Sequence, residues 1–162
     1  MAQEKLSFEQ FLEAVDISQR AFIHDVHNYL TDNGCKEKVE EKKSGFFASY
    51  KHVKSKRAIV NFLFRKKGLI VRIYGENADK YLDFLNTLPG EMVQSIEGAS
   101  ICKQLVYGTC SPKCRGYDVT IKGNRFQRCR YGAFQFVVTD ENNRYIKLFV
   151  ENEVKERAAV QT

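Results

Sequence analysis

Four of the five cysteines fall between Cys102 and Cys129, spaced C-x7-C-x3-C-x14-C through Cys110 and Cys114, while Cys35 stands alone far upstream. Four thiolates complete a tetrahedral Zn²⁺ site with Zn–S distances of about 2.3 Å, and the same ligands can hold an iron–sulfur cluster. The middle pair lies in Gly108-Thr-Cys-Ser-Pro-Lys-Cys-Arg-Gly116. There Gly and Pro favour the chain reversal that brings two sulfurs together. Lys103, Lys113, Arg115, Arg128 and Arg130 flank these cysteines. Cations there lower thiol pKa values and offset the net charge of a Zn(Cys)₄ centre. The same cations would also activate a redox thiol, with Cys114 or Cys129 reacting and a neighbour resolving it. Neither half is a C-x2-C, so the spacing matches no standard zinc ribbon or finger. The expectation is that Cys102, Cys110, Cys114 and Cys129 converge on one structural metal and Cys35 stays apart.

Other chemistry-bearing residues read more plainly. His24 and His27 share a helix at a spacing that suits one ion, but only Asp25 stands with them, so they read as a solvated helix face. His52, alone at a strand end, reads as structural. The chain holds no G-x-S-x-G, phosphate-cradling loop or dinucleotide fingerprint, which points away from an enzyme. A small-ligand pocket between sheet and helices stays open as an alternative, as does a thiol-based redox or sensing protein.

The net charge of +6 is unevenly spread: Lys51 to Arg130 contains 16 basic and 6 acidic residues, against 10 and 14 in the two flanks together. Such a separation suggests a basic surface facing an anionic partner, nucleic acid being the commonest. Arg65, Lys66, Lys67, Arg125, Arg128 and Arg130 are the residues expected to form it. In Arg125-Phe-Gln-Arg-Cys-Arg-Tyr131, arginines would hold phosphates while an aromatic ring stacks a base. The plainer reading is a buried Phe126 with solvated edge charges that discourage strand pairing.

The elements that must position these groups follow from pattern. Ser7-Phe-Glu-Gln10 reads as a capping box that opens a short helix to about Val15. A longer helix to about Leu30 carries Phe22, Ile23, Val26, Tyr29 and Leu30 on one stripe and ends at Asn33-Gly34. Lys36 to Lys43 reads as edge strand or loop. GFFASYKHV, RAIVNFLF and GLIVRIYG are β-rich runs separated by turns and predict three antiparallel strands. Ile59, Phe62 or Leu63, Ile70 and Ile73 are expected under the helices. Asn77 is placed to cap a helix bearing Tyr81, Phe84, Leu85 and Leu88, and Pro89-Gly90 separates it from a further helical piece. Lys122-Gly123-Asn124 signals a hairpin, YGAFQFVVT extends it or adds a strand, and Thr139 or Asp140 caps a last helix with Tyr145, Ile146, Phe149 and Val150 inward.

The segments GFFASYK, FRKKGLIVRIYG, CSPKCRGYDVTIKG and RCRYGAFQF, spanning Gly45 to Phe136, resemble the recurring segments of a family of small uncharacterised bacterial proteins. The resemblance implies a folded intracellular domain and transfers no functional residues. At 162 residues, with 43% hydrophobic and 12% aromatic residues, the chain has the material for a single domain over 1–162. Its acidic N-terminal segment lacks the pattern of a signal peptide, and no run is long and apolar enough for a membrane span, so a cytoplasmic protein is expected. The fold expected is α+β: two layers, an antiparallel sheet with helices on one face, plus a cysteine-bearing loop and hairpin. The function expected is a non-enzymatic domain with a four-cysteine zinc site and a basic surface for an anionic partner.

Overall fold

The computed structural model describes residues 6–111 and 116–159. Among them the chain runs through α1 (Phe8–Ala14), a 3-10 turn, α2 (Arg20–Asp32), β1 (Cys35–Lys42), β2 (Gly45–His52), β3 (Arg57–Arg65) and β4 (Gly68–Ile73). A second 3-10 turn then leads into α3 (Leu82–Leu85), α4 (Gly90–Glu97) and α5 (Lys103–Tyr107). The chain continues through β5 (Tyr117–Ile121), β6 (Asn124–Arg128) and β7 (Gln135–Val137) to α6 (Asp140–Ala159). The fold is α+β: a five-stranded antiparallel sheet in the order β1-β2-β3-β4-β7, and a separate β5-β6 hairpin.

Local sequence sets the helices. Ser7 and Gln10 form the reciprocal capping box, with Gln10 N donating to Ser7 Oγ at 3.2 Å and Ser7 N to Gln10 Oε1 at 2.8 Å. At the other end of the chain, Asn142 N donates to Thr139 Oγ1, so Thr139 is the cap of α6. The long edge run 36–42 is strand rather than loop. Its Lys/Glu alternation gives a charged edge that resists pairing with another chain.

Directly paired residues of an antiparallel ladder share a face. Tyr50, Val60 and Ile73 therefore lie together, as do Ala48, Phe62 and Val71, and this is the face the helices cover. Phe11 of α1 packs at 6.3 Å from Phe62, and Phe149 of α6 at 6.1 Å from Phe136 of β7. Leu63 and Ile70 pair with each other on the opposite face, so the register under the helices is Val60, Phe62, Val71 and Ile73. A bulge between Tyr50 and Lys51 makes Ile59 the extra residue of β3. Asn77, expected to cap a helix, makes no side-chain cap; its side chain turns to Glu153 instead. No helix among the described residues is long and apolar enough to cross a membrane.

Candidate functional site: an arginine-lined cleft

The expected metal site is overturned. Among the described residues, no three His, Cys, Asp or Glu side chains are grouped so as to hold a metal ion. Cys102 is buried, Cys110 exposed and Cys129 half-buried, none in a disulfide; Cys114 lies outside the described residues. The physical reason is that these positions serve the backbone. Cys102 N donates to Gln127 O at 3.0 Å, and its sulfur accepts from Gly116 N at 3.3 Å. Cys129 N donates to Ser100 O at 2.8 Å, while its carbonyl accepts from the Gly132 and Ala133 amides. Two of the expected ligands thus pin neighbouring chain segments together, and Cys110 faces solvent. Cys35 stands apart as expected: it pairs with His52 across β1 and β2, and burial pushes its thiol up to about 11.

The six basic residues come from the end of β3 with its following turn, and from β6 with the turn after it. Arg65 ends β3, and Lys66 and Lys67 follow in the turn, all three exposed. That is about 26 Å along the strand from Arg57, at 3.3 Å per residue. Arg130 is tied through Glu76 to Arg57, at the other end. Arg125 makes two hydrogen bonds to Asp118, at 2.9 and 2.7 Å. Arg128 donates to the carbonyls of Ile96 and Glu97 at the end of α4. These last cations are engaged with the protein's own acceptors.

What the structure does assemble is a cleft of about 420 Å³ lined by Ser55, Arg57, Glu76, Asn77, Gly116, Tyr117, Arg130 and Arg157. Each wall has a local cause. The bulge at Ile59 twists the start of β3 and presents Arg57 beside the chain leaving β4. At Gly75 a Cβ would lie 2.9 Å from the Phe134 ring, so only glycine lets the chain press onto the aromatic core and deliver Glu76 and Asn77 to the cleft. A Cβ on Gly116 would collide with the Arg128 carbonyl oxygen and Cys102, so glycine is needed where the chain enters β5 at Tyr117. The Cys129 turn holds Arg130, whose guanidinium lies 5.2 Å from the Tyr74 ring and 5.7 Å from that of Tyr131.

The cleft floor is a buried ionic network. Glu153, 0% exposed, accepts from Arg157 Nε at 2.8 Å, Tyr81 Oη at 2.6 Å, Asn77 N at 3.1 Å and Asn77 Nδ2 at 3.0 Å. Arg157 also donates to the carbonyls of Tyr74 and Arg57. Above it, Glu76 Oε1 accepts from Arg57 Nε at 2.9 Å and Arg130 Nη2 at 3.0 Å, and Glu76 Oε2 lies 3.9 Å from Arg157. Three guanidinium groups thus meet two carboxylates, leaving one positive charge in excess. Two buried donors on residues that line the cleft have no hydrogen-bond partner among the described residues: Arg130 Nε and Tyr117 Oη. Tyr117 is 8% exposed, and burial holds its hydroxyl well above the usual tyrosine range, so it remains an O–H donor.

Neither protein-family models nor curated proteins nor solved structures gave a match to this chain. The functional reading therefore rests on the site's own chemistry.

A larger concavity of about 1160 Å³ runs along β1 and β2. Glu40 bridges Lys38 and Lys42 there at 2.9 and 3.1 Å, and Tyr50 Oη is 2.8 Å from His27 Nδ1. Among the described residues it brings no unpartnered buried group to a focus, so it is the weaker candidate. Sequence reasoning placed Arg130 in a functional surface but passed over Arg57, Glu76, Tyr117 and Arg157. One signal was available: Glu153 and Arg157 continue the apolar stripe of Ile146, Phe149 and Val150 at helical spacing. An acid and a base four apart on a buried face mark an internal ion pair.

Proposed function

We propose that this protein binds a small anionic molecule in the arginine-lined cleft, with Arg57, Arg130 and Tyr117 as the groups that hold it. The observation carrying this reading is the pair of buried donors, Arg130 Nε and Tyr117 Oη, that have no partner among the described residues, on side chains lining a cleft with excess positive charge. A buried polar group without a partner costs about 1–3 kcal/mol, and an acceptor oxygen delivered by a ligand would recover it. Glu153 and Arg157 act beneath the site, fixing Asn77 and the chain around Tyr74.

The test is thermal unfolding of the full chain against a panel of small carboxylates, phosphates and neutral analogues. An anion at a hundred times its Kd stabilises by about 2.7 kcal/mol, which is a rise of roughly 5–10 °C for a chain of this size. Arg57→Gln, a change at a half-exposed side chain, removes most of that rise while leaving the unliganded melting temperature nearly unchanged. If no anion shifts melting more than its neutral analogue, the reading is wrong.

A further inference from the structure

Resting on that reading, we propose that the cleft selects a phosphate group that carries a proton, with Glu76 as the residue that sets the selectivity. Any anion entering beside Arg57 and Arg130 meets the Glu76 carboxylate already held between them. An ionised carboxylate only accepts hydrogen bonds. A carboxylate or sulfate ligand, fully deprotonated near neutral pH, therefore sets its lone pairs against those of Glu76, and the like charges repel. A phosphate group differs, since its second pKa near 6 leaves it partly protonated around neutral pH. Its P–O–H donates to Glu76 while its remaining oxygens accept.

The geometry supplies both halves. Glu76 Oε1 is engaged by two arginines, but among the described residues Oε2 has only Arg157 at 3.9 Å, beyond hydrogen-bond reach, and so can accept. For the ligand's accepting oxygens, Arg130 Nε and Tyr117 Oη have no partner among the described residues, and Arg57 uses Nε on Glu76, leaving the rest of its guanidinium for the ligand. Among the described residues, the titratable and charged groups around Glu76 are Arg57 from β3, Arg130 after β6, Arg157 from α6 and, at the cleft wall, Tyr117 from β5. None of them is a carboxylate, since Glu153 is spent on its four donors. Glu76 is thus the carboxylate that can accept a ligand proton among the described residues lining the cleft.

The experiment is calorimetric titration of the full chain with phenyl phosphate and phenyl sulfate, which match in shape and differ in carrying an ionisable proton. Inorganic phosphate is titrated alongside. The wild type should bind phenyl phosphate about tenfold or more tightly than phenyl sulfate at pH 6.5, with the preference shrinking as pH rises to 8. Glu76→Gln, which offers the ligand an amide donor as well as a carbonyl, should bring the ratio to within about threefold, chiefly by strengthening sulfate binding. Where phosphate is preferred over sulfate, tighter binding of phenyl phosphate than of inorganic phosphate assigns the site to an ester, and binding of inorganic phosphate as tight or tighter assigns it to the free ion. Equal affinity for phosphate and sulfate in the wild type, or an unchanged ratio in Glu76→Gln, overturns the role of Glu76 and leaves anion binding standing. Failure of all three anions to bind overturns both.

Discussion

Glu153 is the residue on which the cleft floor depends, and its removal has a calculable consequence. Glu153→Ala leaves Arg157, whose side chain is 2% exposed, without the carboxylate 2.8 Å away, and deprives the Asn77 amide and the Tyr81 hydroxyl of their acceptor. Breaking a buried ion pair by deleting one partner costs about 3–5 kcal/mol, because the other charge stays buried. Against a total stability of roughly 5–15 kcal/mol, and 2–4 °C per kcal/mol for a chain of this size, melting should fall by about 6–20 °C. Arg157→Met should cost a similar amount by stranding Glu153. The double variant Glu153→Ala/Arg157→Met removes both charges and strands neither. It should cost about 2 kcal/mol or more less than the sum of the single changes, the remainder reflecting the Tyr74 and Arg57 carbonyls that lose Arg157. Urea unfolding followed by far-UV circular dichroism measures all four proteins, the chain having no tryptophan. Single variants within 1 kcal/mol of wild type, or a double variant equal to the sum, would refute the argument that this is a coupled buried pair.

Two histidines make stability depend on pH. Burial foremost, then His24, holds His27 below its ordinary value, and burial with Arg157 and Lys54 does the same for His52. A histidine whose folded pKa is depressed binds fewer protons in the native than in the unfolded chain. Stability is therefore full above about pH 6.5 and falls as the pH drops below it, which urea midpoints at pH 7.5 and 5.5 will show and His27→Phe should lessen. Gly75→Ala should destabilise by about 1–3 kcal/mol, since the new methyl group meets the Phe134 and Phe149 rings; an unchanged melting temperature would contradict this close approach. Ser7→Ala should cost about 1 kcal/mol through loss of the capping box, read from the same unfolding curves.

Much of the fold was legible because its signals are local. The capping box at Ser7, the stripe from Phe22 to Leu30, the β-rich runs from Gly45 and the turn at Lys122-Gly123 each act over a few residues and form the element expected. The strand register was harder, because β3 and β4 are apolar on both faces and the bulge at Ile59 shifts the alternation. The site was the least legible. Cysteine spacing suggested convergence, yet the antiparallel pairing of the chain around Ile101 and Arg128 engages Cys102 and Cys129 in backbone contacts. The cleft unites residues from β3, the exit of β4, the entry of β5, the turn after β6 and the end of α6. No short stretch of sequence contains more than two of them. Only Glu153 with Arg157, charged residues on an otherwise apolar stripe, announced it locally.

The most direct test of the central claim is Tyr117→Phe, measured for ligand affinity and for stability on the same preparation with phenyl phosphate as the probe. The change removes one O–H that has no partner within the described protein and keeps the ring stacked 4.8 Å from Phe134. A hydrogen bond to a charged group contributes about 1.5–3 kcal/mol, so affinity should fall by roughly ten- to a hundredfold, while unfolding free energy stays level or rises. Unchanged affinity together with lost stability would mean that the hydroxyl serves the fold and that the cleft does not bind anions through it.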